Sequence, residues 1–120
     1  MSAHRYLLVV EDDPLTREAM CEMLTEAGYP VASAANGAEA LTHLRSHDRP
    51  CLILLDLMMP VMTGQQFRSE QLRDPDLADI PVIIVSAVQS QASLQPLRAQ
   101  ACVPKPFRMG QLLDSVSRFC

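Results

Sequence analysis

The chain has 120 residues, 10 of them basic and 14 acidic, for a net charge of −4; that length suffices to bury roughly two thirds of the surface of the unfolded chain in one core. With no basic stripe and no run of like charge, direct contact with nucleic acid or an anionic membrane surface is not expected. Cys21, Cys51, Cys102 and Cys120 lack any CxxC spacing, and the start lacks a basic segment leading into an apolar one. This predicts a cytoplasmic chain with reduced thiols, used as small core fillers or idle surface groups, and no zinc set.

Taken in order, short apolar runs alternate with segments of helical period. "YLLVV" at 6–10 is followed by Glu11, Asp12 and Asp13, and then by Pro14. A short acid directly before a proline marks a helix start, so Asp13 is read as the capping residue. Leu15, Ala19, Met23 and Ala27, with Met20 and Leu24 beside them, form the apolar stripe of this first helix, and Gly28 supplies a left-handed C-terminal residue. "PVASAA" at 30–35 is the second strand, and Asn36 with Glu39 resembles a capping box for a helix over "GAEALTHLRSH". "CLILLDL" at 51–57 is the third strand, followed by a weakly amphipathic helix from about Gly64 to Arg73; Gly64 is read as serving a special turn geometry. After "IPVIIVSA" at 80–87 comes the polar "QSQASLQPLRAQ", where Pro96 predicts a short, frayed or missing fourth helix. "ACVPK" at 101–105 is the fifth strand, and Met109, Leu112, Leu113, Val116 and Phe119 line one side of the last helix.

Several of the strands are apolar at every position, as suits a parallel sheet covered on both faces by helices. The pattern is therefore β-α repeated five times, within one domain over residues 1–120. Ligands of such sheets bind beyond the carboxyl ends of the strands, where strand order reverses. At those ends stand Glu11 and Asp12, Asp56, Ser86 and Lys105.

Three acids gathered there would repel by roughly 3 kcal/mol per pair at about 5 Å and an effective dielectric near 20. Mg²⁺ removes that repulsion, since it prefers hard oxygen ligands and often combines one or two carboxylates with a phosphate oxygen. Asp56 is then placed to act as a nucleophile and form an acyl phosphate, with Lys105 balancing the remaining negative charge. His4, His43 and His47 are far from these ends, and no catalytic histidine is expected.

In this order and spacing "VVEDD", "LLDLMMPVMTG", "IIVSA" and "KPF" resemble the receiver domain of two-component response regulators, over essentially the whole chain. The resemblance implies a flavodoxin-like, CheY-like fold, a doubly wound five-stranded parallel sheet in the order 2-1-3-4-5. It implies that Asp56 accepts a phosphoryl group from a histidine kinase or histidine phosphotransfer protein, which switches contacts with a downstream protein or output domain. Glu11, Asp12, Asp56 and the backbone carbonyl of Met58 would hold Mg²⁺. Ser86 would hydrogen-bond the phosphoryl group, Lys105 would pair with it, and the Lys105–Pro106 bond would be cis.

The sequence departs from the family in two respects. Cys102 stands where an aromatic switch residue is common, and the segment from Ser86 to Lys105 is shorter than usual, so the output face around it is expected to be remodelled. Met58 and Val88 occupy positions from which, as the resemblance implies, side chains in the family influence a hydrolytic water; neither orients water by hydrogen bonding, which predicts slow phosphate loss. Two other functions share parts of this pattern. A Mg²⁺-dependent aspartyl-phosphate phosphohydrolase would want a second carboxylate where Met58 stands, and a receiver-like binding module that takes no phosphate would not need the complete acidic set.

Overall fold

Five parallel strands form one sheet: β1 (Leu7–Val10), β2 (Val31–Ala34), β3 (Leu52–Leu55), β4 (Val82–Ser86) and β5 (Ala101–Pro104). The helices are α1 (Pro14–Glu26), α2 (Gly37–Ser46), α3 (Gly64–Arg73) and α4 (Met109–Ser117). This computed structural model describes residues 6–57, 59, 61–87 and 98–120. Of the segment 89–100, expected to hold a short, frayed or missing fourth helix, residues 89–97 lie outside the described residues and 98–100 are not helical.

The strand order is β2-β1-β3-β4-β5, as the resemblance implied. The chain leaves β1 toward β2 on one side and returns to place β3 on the other. Strand order therefore reverses between β1 and β3, and the crevice at their carboxyl ends is where a ligand site is expected. Residues 7–10 pair in register with 52–55, so Glu11 and Asp56 follow at the same level, and the amide of Asp56 donates to the carbonyl of Val10 at 3.0 Å.

Every residue of β1, β3 and β4 is buried. Successive side chains go to opposite faces, which explains why apolar residues occupy every position. Leu8, Val10, Ile53, Leu55, Val82 and Ile84 pack with Ala40, Leu41, Leu44 and Phe67 of α2 and α3. Leu7, Val9, Leu52, Leu54, Ile83 and Val85 pack instead with Met20, Leu24, Leu112 and Val116 of α1 and α4. Each large side chain so buried contributes roughly 1.5–3 kcal/mol relative to exposure.

The helix starts follow their caps. The Asp13 carboxylate accepts from the amide of Thr16 at 2.9 Å with Pro14 at the first helical position. The Asn36 side chain accepts from the amide of Glu39 at 2.9 Å, and the Glu39 carboxylate reaches back to the amide of Ala35 at 3.2 Å. Thr63 and Gln66 form a reciprocal capping box for α3. Gly28 adopts φ +100 beyond the end of α1, the left-handed conformation expected of it.

Three expectations are corrected. On α1 the core-facing line is Met20 and Leu24, whereas Leu15, at 76% exposure, and Ala19 and Ala27 face outward. The apolar residues read as one stripe span about half the helix circumference, and the sheet takes only one edge of it. On α4, Leu112 and Val116 are buried but Met109 is exposed. Finally, Cys51 and Cys120 are not idle: they form a disulfide, with Cα atoms 5.4 Å apart across a separation of 69 residues. The fold brings the start of β3 beside the turn after α4, a proximity that spacing along the chain does not reveal. Cys21 and Cys102 are free thiols.

Candidate functional site

At the β1–β3 crevice, ligand oxygens of Glu11, Asp12 and Asp56 all lie within 4.8 Å of one another. Glu11 and Asp56 are 2% and 6% exposed, whereas Asp12 is half-buried at the mouth. Lys105, arriving just after β5, places Nζ 2.5 Å from Glu11 Oε1 and 3.6 Å from Asp56 Oδ2. The second Glu11 oxygen accepts from the amide of Asp13 at 3.2 Å.

Charge placement explains the titration behaviour. Burial raises the pKa of Glu11, and the neighbouring Asp56 adds to this; the bond from Lys105 and the Asp13 amide oppose it without reversing it. Burial alone would lower the pKa of Lys105, but its bond to Glu11 and the charge of Asp56 outweigh burial and raise it. Lys105 is therefore a firmly held cation set among three carboxylates. The donor set is entirely hard oxygen, which fits a small divalent ion such as Mg²⁺ better than a softer metal.

The surroundings position these groups from several elements. Ser86 ends β4 and is fully buried, and its carbonyl accepts from the amide of Lys105 at 3.1 Å, tying the β4 and β5 ends together. The Lys105–Pro106 peptide is cis. Behind Asp56, the amide of Gly64 donates to Leu57 O at 3.0 Å. A Cβ at position 64 would lie 2.5 Å from the Asp56 carbonyl oxygen and 2.6 Å from Leu57 Cα. Gly64 is thus required for close approach, not for the turn geometry expected of it: the start of α3 sits against the backbone of Asp56 and Leu57. Val61, between β3 and α3, has φ 70 and is 82% exposed, a costly conformation for a β-branched residue.

Most of the expected residues meet in one place: Glu11, Asp12, Asp56 and Lys105 converge, and Ser86 lies at the adjoining strand end. Cys102 is exposed on the edge strand β5. The Met58 carbonyl and the side chains of Met58 and Val88 lie outside the described residues. Sequence reasoning overlooked Arg17, whose Nη1 donates to the carbonyls of Glu11 at 2.9 Å and Asp12 at 3.3 Å and so fixes the β1–α1 loop. Its signal was a base close to the positive end of a helix dipole, where an acid is favoured.

Residues 7–117 match the family model of the response regulator receiver domain. The chain is 28% identical to the polar-differentiation response regulator DivK of Brucella anthropi, covering 94% of both chains. It is 36% identical to the response regulator MprA of Mycobacterium avium, over 89% of this chain but 47% of that protein, so it spans about half the length of that relative. Among solved structures, the chemotaxis protein CheY4 of Vibrio cholerae superposes with a TM-score of 0.89 at 29% identity, covering 98% of this chain and 100% of the other. The response regulator TrrA of Thermotoga maritima, solved in complex with Mg²⁺ and BeF, does so with a TM-score of 0.85 at 32% identity, covering 97% and 99%. With the strand order and the acidic crevice already in view, these matches establish that the chain belongs to the response regulator receiver domain family of two-component systems.

Proposed function

We propose that this receiver domain accepts a phosphoryl group on Asp56 in a Mg²⁺-dependent reaction and that the modification switches its contacts with a downstream protein or output domain. The observation that carries this reading is the crevice itself: three carboxylates within 4.8 Å of one another, with the Lys105 ammonium 3.6 Å from Asp56. Glu11, Asp12 and Asp56 would hold the ion, with the Met58 carbonyl as a further ligand. When bound, Mg²⁺ would offset the carboxylate charge and orient a phosphoryl oxygen.

The Asp56 carboxylate attacks phosphorus of a phosphohistidine on a histidine kinase or phosphotransfer partner. A P–O bond forms as the P–N bond breaks, and the imidazole leaves as the neutral base once protonated. Lys105 then moves its charge from Glu11 toward the acyl phosphate, and the Ser86 hydroxyl supplies a hydrogen bond to a phosphoryl oxygen. Residues 1–120 act as one unit, in the cytoplasm, and turn over no free substrate beyond this self-modification and its slow hydrolysis. Among the described residues no helix is long and apolar enough to cross a membrane.

Incubation with Mg²⁺ and acetyl phosphate, read by intact mass, tests the reading. Wild type should gain one phosphoryl group and Asp56→Asn none, while circular dichroism shows both folded. A folded wild-type protein that gains no phosphate, or an Asp56→Asn variant that gains as much, would overturn it.

A further inference from the structure

Asp56 and Cys51 mark the two ends of the same strand, and the chemistry at the Cys51 end is independent of the acidic crevice. Cys51 precedes β3 and Cys120 follows α4; both are half-buried against the α1/α4 core. Their Cα separation of 5.4 Å lies within the range a cystine tolerates. The backbone on both sides is regularly bonded: the Cys51 amide donates to Tyr6 O at 2.8 Å and the Cys120 amide to Val116 O at 3.0 Å. Cys51 Sγ also lies 3.2 Å from the Tyr6 carbonyl, so a thiol there has an acceptor and the reduced state leaves no buried donor stranded.

The helix that Cys120 follows has few local supports of its own, though Leu113 and Phe119 also pack against the core. α4 has nine residues, no side-chain cap at Arg108, no acid in its first turn and no base in its last, and it buries only Leu112 and Val116. By contrast α2 and α3 are both capped by side chains. A helix this short is marginal without tertiary support.

We propose that Cys51 and Cys120 form a reversible thiol–disulfide pair, a modification site through which oxidants of the hydroperoxide class control how firmly α4 is docked on the sheet. One thiolate attacks the peroxide; the O–O bond breaks, giving a sulfenic acid and, after protonation, water or an alcohol from the other oxygen. The second thiol attacks that sulfur, the S–O bond breaks, and its proton leaves with the hydroxyl as water. Two thiols lose two electrons and the peroxide gains them; a dithiol reductant reverses the change by exchange. In a reducing compartment such pairs are transient and regulatory.

The test treats the full chain with hydrogen peroxide or dithiothreitol, labels remaining thiols, and maps peptides. Expected are a linked Cys51–Cys120 peptide in the oxidised sample, reversed by dithiothreitol, and a Tm about 10 °C or more above the reduced form. Amide exchange over residues 112–119 should slow by roughly tenfold or more on oxidation. Cys51→Ser and Cys120→Ser should each abolish the oxidant response; should either fail to fold, wild type in its two states makes the same comparison. Oxidation confined to Cys21 or Cys102, or an oxidised Tm equal to the reduced one, would overturn the proposal. Beryllofluoride binding with Mg²⁺, followed in the same samples, should agree within about twofold between states, as for distant independent sites; its failure in both would count against phosphorylation at Asp56 and not against the thiol pair.

Discussion

The two ends of the central strands obey opposite rules. At the carboxyl ends of β1 and β3, Glu11, Asp12 and Asp56 crowd together around Lys105, Gly64 is pressed against the Asp56 backbone, and Val61 holds a costly φ. At the amino end, Cys51 is covalently tied to Cys120. Tyr6 bonds both the Asp48 carbonyl and His43, while Arg49 and Asp79 form an ion pair at 2.5 Å. One end concentrates repulsion and close contact, the other cross-links. The less favourable contacts collect at the carboxyl end and the cross-links at the amino end, the division expected where a site costs stability.

The strongest way to break this contrast is Gly64→Ala. Its methyl group would meet backbone and not a yielding side chain, so unfolding free energy should fall by about 1–3 kcal/mol, with acceptor function reduced as Asp56 shifts. Denaturant titration together with acetyl-phosphate labelling checks both. A fully stable, fully active variant would show that the approach of α3 to the acceptor is not tight.

Asp12→Asn should act in the opposite sense. Removing one of three clustered charges stabilises the metal-free fold by about 1 kcal/mol, a figure reduced for the partial exposure of Asp12, while Mg²⁺ affinity drops steeply. Thermal melts with and without Mg²⁺ would show a higher Tm and a lost response to the ion. Met58→Asn sharpens the carboxyl end further: a hydrogen-bonding side chain should speed acyl-phosphate decay by roughly tenfold or less, about 1.4 kcal/mol at most, measured by loss of phosphate over time.

The smallest effect belongs to the amino end. Burial, with the charge of nearby His47, lowers the pKa of His43 below 6.5. The unfolded chain therefore binds this proton more readily than the folded one, and stability present above pH 6.5 is lost as pH falls through and below that value. Glu11, whose pKa is raised, works in the opposite direction, so the slope is read as the difference between wild type and His43→Gln across pH 7.5 to 5.5. Parallel curves would remove His43 from this account.

The sheet was legible because β1, β3 and β4 are apolar throughout and their first polar followers are chemically distinctive. Glu11, Asp12, Asp56, Ser86 and Lys105 could be placed on one edge from strand ends alone. What remained hidden required knowledge of the far side of a contact. Arg68 is 3% exposed on α3, where a polar residue reads as solvated; its guanidinium donates to Gln71 Oε1 at 2.7 Å and to Arg98 O at 3.0 Å. Gln71 in turn donates to Leu77 O and Ile80 O. These side chains satisfy loop carbonyls, and no periodicity announces such partners. The Cys51–Cys120 pair and the rotation of α1 escaped for the same reason, since each depends on which neighbour the tertiary fold supplies.

The alternation of side chains along β1, β3 and β4 also divides the interior into two compartments with a wall of peptide groups between them. Side chains under α1 and α4 do not interdigitate with those under α2 and α3. A disturbance on one side can reach the other only by tilting the strands themselves or by travelling around the rim through the connecting loops. Each hydrophobic layer can therefore drift in composition over evolutionary time without the other having to follow, while the strands and the rim are left as the shared mechanical parts.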